Sequence, residues 1–172
     1  GCNAGDCGAC TVLANDEAVC ACMVPVGRLQ GAEITTVEGL AEGGPGNHEL
    51  NRLQRAFLHF GAAQCGICTP GMLIAATDLL ARNSQPSEQA VKDALGGVLC
   101  RCTGYRKIIT AVMAAHTFDE APLVAEVGKA VGARLIRLDG EEKVLGTDLF
   151  GDDVAEPDTA VIKVIRSPHH RA

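Results

Sequence analysis

The cysteines constrain this chain more than any other feature. Nine are present, at Cys2, Cys7, Cys10, Cys20, Cys22, Cys65, Cys68, Cys100 and Cys102, and none follows Cys102. An odd number cannot close into disulfides without leaving a thiol over, and thiols set two or three residues apart read more naturally as metal ligands than as staples. The thiols fall in two separate stretches, residues 2–22 and 65–102, and the fold must gather the sulfurs within each.

The remaining composition narrows the possibilities further. With 172 residues, 47% of them hydrophobic, the chain can bury a core of one large or two small domains. A net charge of −6 and a pI near 5.3 give no electrostatic case for nucleic acid or an anionic membrane surface. Only 3% of residues are aromatic, which argues against base-stacking platforms. No apolar run approaches the ~20 residues of a membrane span. No signal peptide is visible, so a cytoplasmic location is expected, or a periplasmic one if a signal lies upstream of Gly1.

Periodicity divides the chain. Runs at 11–13 and 18–22 flank Asn15 and Asp16 and read as a β-hairpin; EITTV at 33–37 is a further β-rich run. Residues 41–48 are glycine- and proline-punctuated and read as a linker. Leu50, Leu53, Phe57 and Leu58 predict a helix over 49–60. Thr69 as a cap with Pro70 at the first helical position opens a second, apolar over most of its circumference and expected to be central. Ser87 and Glu88 start a third, ended by Gly96 and Gly97. Tyr105, Ile108, Ile109, Val112 and Met113 mark a fourth. Residues 116–126 read as a second linker. From 127 to 172, ARLIRLDG, KVLGTDLFGDD and TAVIKVIRSP alternate in a β-like manner, and these strands need partners the chain does not supply.

Cys2, Cys7 and Cys10 stand in the C-x4-C-x2-C spacing of plant-type [2Fe–2S] loops, which require a distant fourth cysteine. Both Cys20 and Cys22 qualify. Gly1, Gly5 and Gly8 suit a loop whose backbone N–H groups approach sulfur. Structural zinc is the alternative, although it favours paired knuckles rather than three thiols in one loop. The second set is Cys65 with Cys68, ahead of the second helix, and Cys100 with Cys102, between the third and fourth. Taken alone it fits zinc as well as a cluster. The cysteine left over is by default a small buried hydrophobe.

Three motifs, GCNAGDCGACTV, QCGICTPGM and LCRCTGY, agree in content, order and distance with a known pattern. They resemble the iron–sulfur region of the molybdenum hydroxylases, the xanthine dehydrogenase and aldehyde oxidoreductase group, over residues 1 to about 115. The resemblance implies an α+β architecture. A plant-ferredoxin-like [2Fe–2S] domain (1–40, N-terminally incomplete) precedes a four-helix [2Fe–2S] domain (49–115). Residues 127–172 would then hold the first β-strands of a molybdopterin-binding domain. Their R-x-D, K-V-x-G and R-S-P elements are similar to the start of the molybdenum portion, without an intervening flavin domain. By the same matching, Cys22 is the fourth ligand beside Cys2, Cys7 and Cys10, and Cys20 is the extra thiol. Cys65, Cys68, Cys100 and Cys102 hold the second cluster, and Gln64 and Cys102 contact the molybdopterin. The chain departs from the family at Ile67, Val98 and Asp6, where Phe, Asn and Gly are usual. His169 and His170 read as solvated or contact residues.

What the resemblance implies about activity is an oxidoreductase that oxidises an aldehyde or N-heterocycle with water as oxygen source. Electrons would leave its molybdenum site through the two clusters to a flavoprotein, cytochrome or ferredoxin. The chain supplies the relay and none of the catalytic residues. Its expected partner is a larger molybdenum-binding portion or subunit, with no nucleic acid and no membrane span. A stand-alone two-cluster carrier without catalysis is the rival reading. Both ends break off relative to the family, so a fragment of a longer chain is expected.

Overall fold

The computed structural model describes residues 1–172 apart from Pro45, Asn47, Ala121, Pro122, Arg171 and Ala172 and the side chain of Asp152. Pro45 and Asn47 lie in the first expected linker, Ala121 and Pro122 in the second, and Arg171 and Ala172 beyond the R-S-P element, so the reading at those positions lies outside the described residues.

The chain begins as a bare loop, residues 1–10, which runs into a hairpin. Strands β1 (Thr11–Ala14) and β2 (Glu17–Cys20) pair antiparallel with Thr11 opposite Cys20 and Ala14 opposite Glu17. Asn15 and Asp16 both take positive φ, 50° and 66°, as a two-residue type I′ turn requires. The short strand β3 (Ile34–Thr35) adds to the other side of β1, giving the order β2-β1-β3. Asn15 fixes that edge: its N–H donates to the Glu33 carbonyl and its side-chain oxygen accepts from the Glu33 N–H. The second strand stops at Cys20, short of the expected 22, because residues 21–23 turn in a single 3-10 turn.

Four helices follow. Helix α1 (Arg52–Phe60) starts later than the periodicity indicated, because Asn51 caps it in a reciprocal box with Gln54. Helix α2 (Thr69–Arg82) buries Met72, Leu73, Ile74 and Ala76 completely and is the central element. Each such large apolar side chain contributes about 1.5–3 kcal/mol. Its start differs from expectation: Cys68 is the N-cap, without a side-chain hydrogen bond, and Thr69 is already helical and buried. Helix α3 (Glu88–Leu95) is capped by Ser87, whose hydroxyl accepts from the Ala90 N–H. Helix α4 (Tyr105–Ala114) packs along α1 through Ile108, Ala111 and Val112, while Met113 lies at the surface. The sheet rests on α2.

The C-terminal stretch departs from the β-like reading. Among the described residues of 127–172 there is no strand; residues 140–145 form the short helix α5 (Gly140–Leu145). Glu141, Glu142, Lys143 and Leu145 are good helix formers, and Val144 and Leu145 reach the core, so tertiary burial outweighs a short alternating pattern. The Gln54 amide donates to the Val144 carbonyl at 2.9 Å, tying α5 to α1. Val161, Ile162, Val164 and Ile165 are exposed and belong to no strand, and they pair with nothing described. No described helix is long and apolar enough to cross a membrane.

Candidate functional site

All nine cysteines are free thiols. Four of them, Cys2, Cys7, Cys10 and Cys22, line one cavity of about 460 Å³ together with Gly1, Asn3 and Ala9. The hairpin register explains which cysteine arrives there. Thr11 faces Cys20 across the ladder, and the Ala21 N–H continues it by donating to the Cys10 carbonyl. The turn at 21–23 then swings Cys22 back to Cys10. Cys20 stays in the strand, half-buried and off the cavity.

Backbone amides crowd this site. The N–H groups of Ala4, Asp6 and Cys7 point at the Cys2 sulfur from 3.3–3.4 Å. They hold the Cys2 thiol down at about 7, with Cys7 the largest contributor. The Cys22 amide lowers Cys10 in the same way. The Cys22 thiol, sharing a proton with Cys10, is pushed up. Gly8 (φ +67°) closes the loop and packs so tightly on Gly97 and Val98 that a side chain would strike them; its carbonyl accepts from both the N–H and the hydroxyl of Thr11.

The second group gathers at the helix ends. Cys65 is exposed, Cys68 and Cys100 are buried, and Cys102 is half-buried. Burial first, then the neighbouring Cys100, then Cys65, pushes the Cys68 thiol up to about 12. Thiols this close resist ionising together unless a cation compensates them. The Cys100 N–H donates to the Tyr105 hydroxyl at 2.7 Å, and the Gly104 N–H donates to the Cys100 sulfur at 3.4 Å. Gln64 is exposed, and its amide nitrogen lies over Gly104, just past Cys102. Both pterin candidates are thus placed at the same loop. Val98 is buried and fills the space between Gly8 and Gly71, so the apolar residue there serves packing.

The two groups touch through the backbone. The Leu99 N–H donates to the Cys7 carbonyl at 2.9 Å, so a residue of the first group is joined to the neighbour of Cys100. The thiol pattern, the aimed amides and the glycine cradle fit four-sulfur clusters. A larger cleft of about 570 Å³, lined by Glu42, Arg55, His59 and Glu120 among others, holds no thiol.

Sequence reasoning missed the link between Cys7 and Leu99, the role of Tyr105, and an ion-pair group at Arg137, Asp139, Lys143 and Asp148. Only the last left a signal, the i, i+4 spacing of Asp139 and Lys143. His169 and His170 are exposed.

Residues 36–113 match the family described as the [2Fe-2S] binding domain. The chain is 46% identical over 112 residues to the nicotinate dehydrogenase small FeS subunit of Eubacterium barkeri, covering 65% of this chain and 69% of that one. It is 43% identical over 115 residues to the xanthine dehydrogenase iron-sulfur-binding subunit of Escherichia coli O157:H7, covering 66% and 70%. Among solved structures, the aldehyde oxidoreductase from Desulfovibrio gigas superposes with a TM-score of 0.78 at 37% identity. That match covers 89% of this chain but only 18% of the oxidoreductase.

Proposed function

The chain belongs to the molybdenum hydroxylase family, the group of the xanthine dehydrogenases and aldehyde oxidoreductases, and we propose that it is the electron-relay part of such an oxidoreductase. Cys2, Cys7, Cys10 and Cys22 hold one [2Fe–2S] cluster, and Cys65, Cys68, Cys100 and Cys102 hold a second. Such clusters supply one-electron steps between a two-electron site and an acceptor. The protein's part is to hold the thiolates, aim amides at their sulfurs, and keep the two sites in register. The Cys7 carbonyl and the Leu99 N–H do the last of these, and that hydrogen bond is the observation that carries the relay reading.

In this reading Gln64 and Cys102 face the molybdopterin of a larger portion or subunit, where an aldehyde or N-heterocycle is oxidised with water as oxygen source. Glutamine offers a donor and an acceptor to a pterin edge. The first site faces a flavoprotein, cytochrome or ferredoxin acceptor. The boundaries 1–40, 49–115 and 127–172 mark the ferredoxin-like, helical and molybdenum-side units of the proposal. Purification of the native protein tests it: the relay reading expects molybdenum and a larger polypeptide, separate or continuous with this one, to accompany the chain. Purification as a two-cluster protein with neither supports the stand-alone carrier instead.

A further inference from the structure

A buried charge group sits directly on the loop that carries Cys65 and Cys68. Lys143 of α5 is only 7% exposed, yet its ammonium reaches the Asp148 carboxylate at 2.6 Å and that of Asp139 at 3.1 Å. Asp139 in turn takes two hydrogen bonds from Arg137, at 2.8 and 2.7 Å. The four charges cancel, which is how a lysine this buried is tolerated.

The lysine stem is what touches the loop. Gly66, between Cys65 and Ile67, has φ +92°, and a Cβ there would lie 3.1 and 3.2 Å from Cγ and Cδ of Lys143 and 3.4 Å from the Asp148 carboxylate. The left-handed conformation favours glycine, and the absent side chain lets the stem lie flat on the turn. The Gln54 amide donates to the Val144 carbonyl, the next residue along, and so ties α5 to α1. Segment 137–148 therefore bears on the Gly66 turn through the Lys143 stem and the Asp148 carboxylate.

We infer that Lys143 is a positioning residue for the second iron–sulfur site, clamping the Gly66 turn so that Cys65 and Cys68 keep their mutual geometry. This rests on reading Cys65, Cys68, Cys100 and Cys102 as a cluster site. The clamp acts through the turn and leaves the first site alone, because neither Cys2, Cys7, Cys10 nor Cys22 adjoins it.

The test compares the iron-loaded parent protein with Lys143→Met, Asp148→Asn and Lys143→Arg. The reduced-cluster EPR signals are recorded, together with the rate at which a ferrous chelator withdraws iron; Cys68→Ser identifies the second site's signal. Lys143→Met and Asp148→Asn are expected to shift that signal and to weaken iron retention there by about 10- to 100-fold, as loss of an outer-shell partner does. The first signal should not move, and Lys143→Arg, which keeps stem and charge, should restore part of the second. Unchanged signals and iron release in both variants overturn the inference. So does joint loss of both signals and of helical circular dichroism in both, which makes Lys143 a general support of the fold. A parent protein with no reduced-cluster signal overturns the relay reading and this inference with it.

Discussion

The backbone N–H of Leu99 donates to the carbonyl of Cys7 at 2.9 Å, and this hydrogen bond joins the two thiol groups of the chain. It is possible only because the first loop lies almost backbone-to-backbone on the helical part. Gly8 and Gly71 supply the room, each packed so that a Cβ would strike the neighbouring main chain.

Gly71→Ala should force that contact apart. A methyl group there meets the Gly8 carbonyl, and overpacking of this kind costs about 1–3 kcal/mol. Thermal denaturation should show a lower midpoint, and magnetic coupling between the two reduced sites should weaken while iron content holds. An unchanged midpoint and coupling would show that the contact yields freely.

Cys22→Ser should abolish the first site's signal, and Cys20→Ser should leave it intact, because Cys22 lines the cavity and Cys20 does not. Iron analysis and EPR of the two variants decide the matter. Equal loss in both would reassign the fourth ligand.

Thiol chemistry in the iron-free chain should switch on over different pH ranges at the two sites. Cys2 is lowered to about 7 by the amides of Cys7, Ala4 and Asp6. Its thiolate therefore builds up as the pH climbs through about 7, and alkylation at Cys2 should rise there and then level off. Because the folded value lies below the unfolded one, ionised Cys2 also favours the folded loop above about pH 8.5, a contribution lost as the pH falls through the folded value. Cys68, raised to about 12 chiefly by burial, should remain unreactive to about pH 9. Peptide mapping after timed iodoacetamide treatment reads the order, and Cys68 reacting before Cys2 would contradict it.

Helix capping should be unequal in cost. Asn51→Ala removes a capping box and the bond from the Asn51 amide to the Leu40 carbonyl, whereas Ser87→Ala removes a single bond. Denaturant titration should place the first near 2 kcal/mol and the second near about 1. Equal losses would mean that the Leu40 link adds nothing.

Much of this was legible in the residues. Local signals were strong where chemistry is local: Asn15 and Asp16 dictated the turn, Ser87 the third helix, and cysteine spacing the two thiol groups. The start of α1 was placed too early because Leu50 extends the apolar stripe, while Asn51 with Gln54 settles the true boundary. The C-terminal stretch misled because alternation over so few residues is a weak signal, and burial of Val144 against the helical core prevails over it. The bond between Cys7 and Leu99 and the seating of Lys143 on Gly66 join residues far apart in the chain. Nothing in local sequence records such contacts.

The most direct measurement is EPR of the iron-loaded protein after dithionite reduction, alongside iron, sulfide and zinc analysis. The account predicts two distinct reduced [2Fe–2S] signals of equal intensity, one lost in Cys22→Ser and the other in Cys68→Ser. A colourless protein containing zinc, or a single signal that vanishes in either variant, would contradict it.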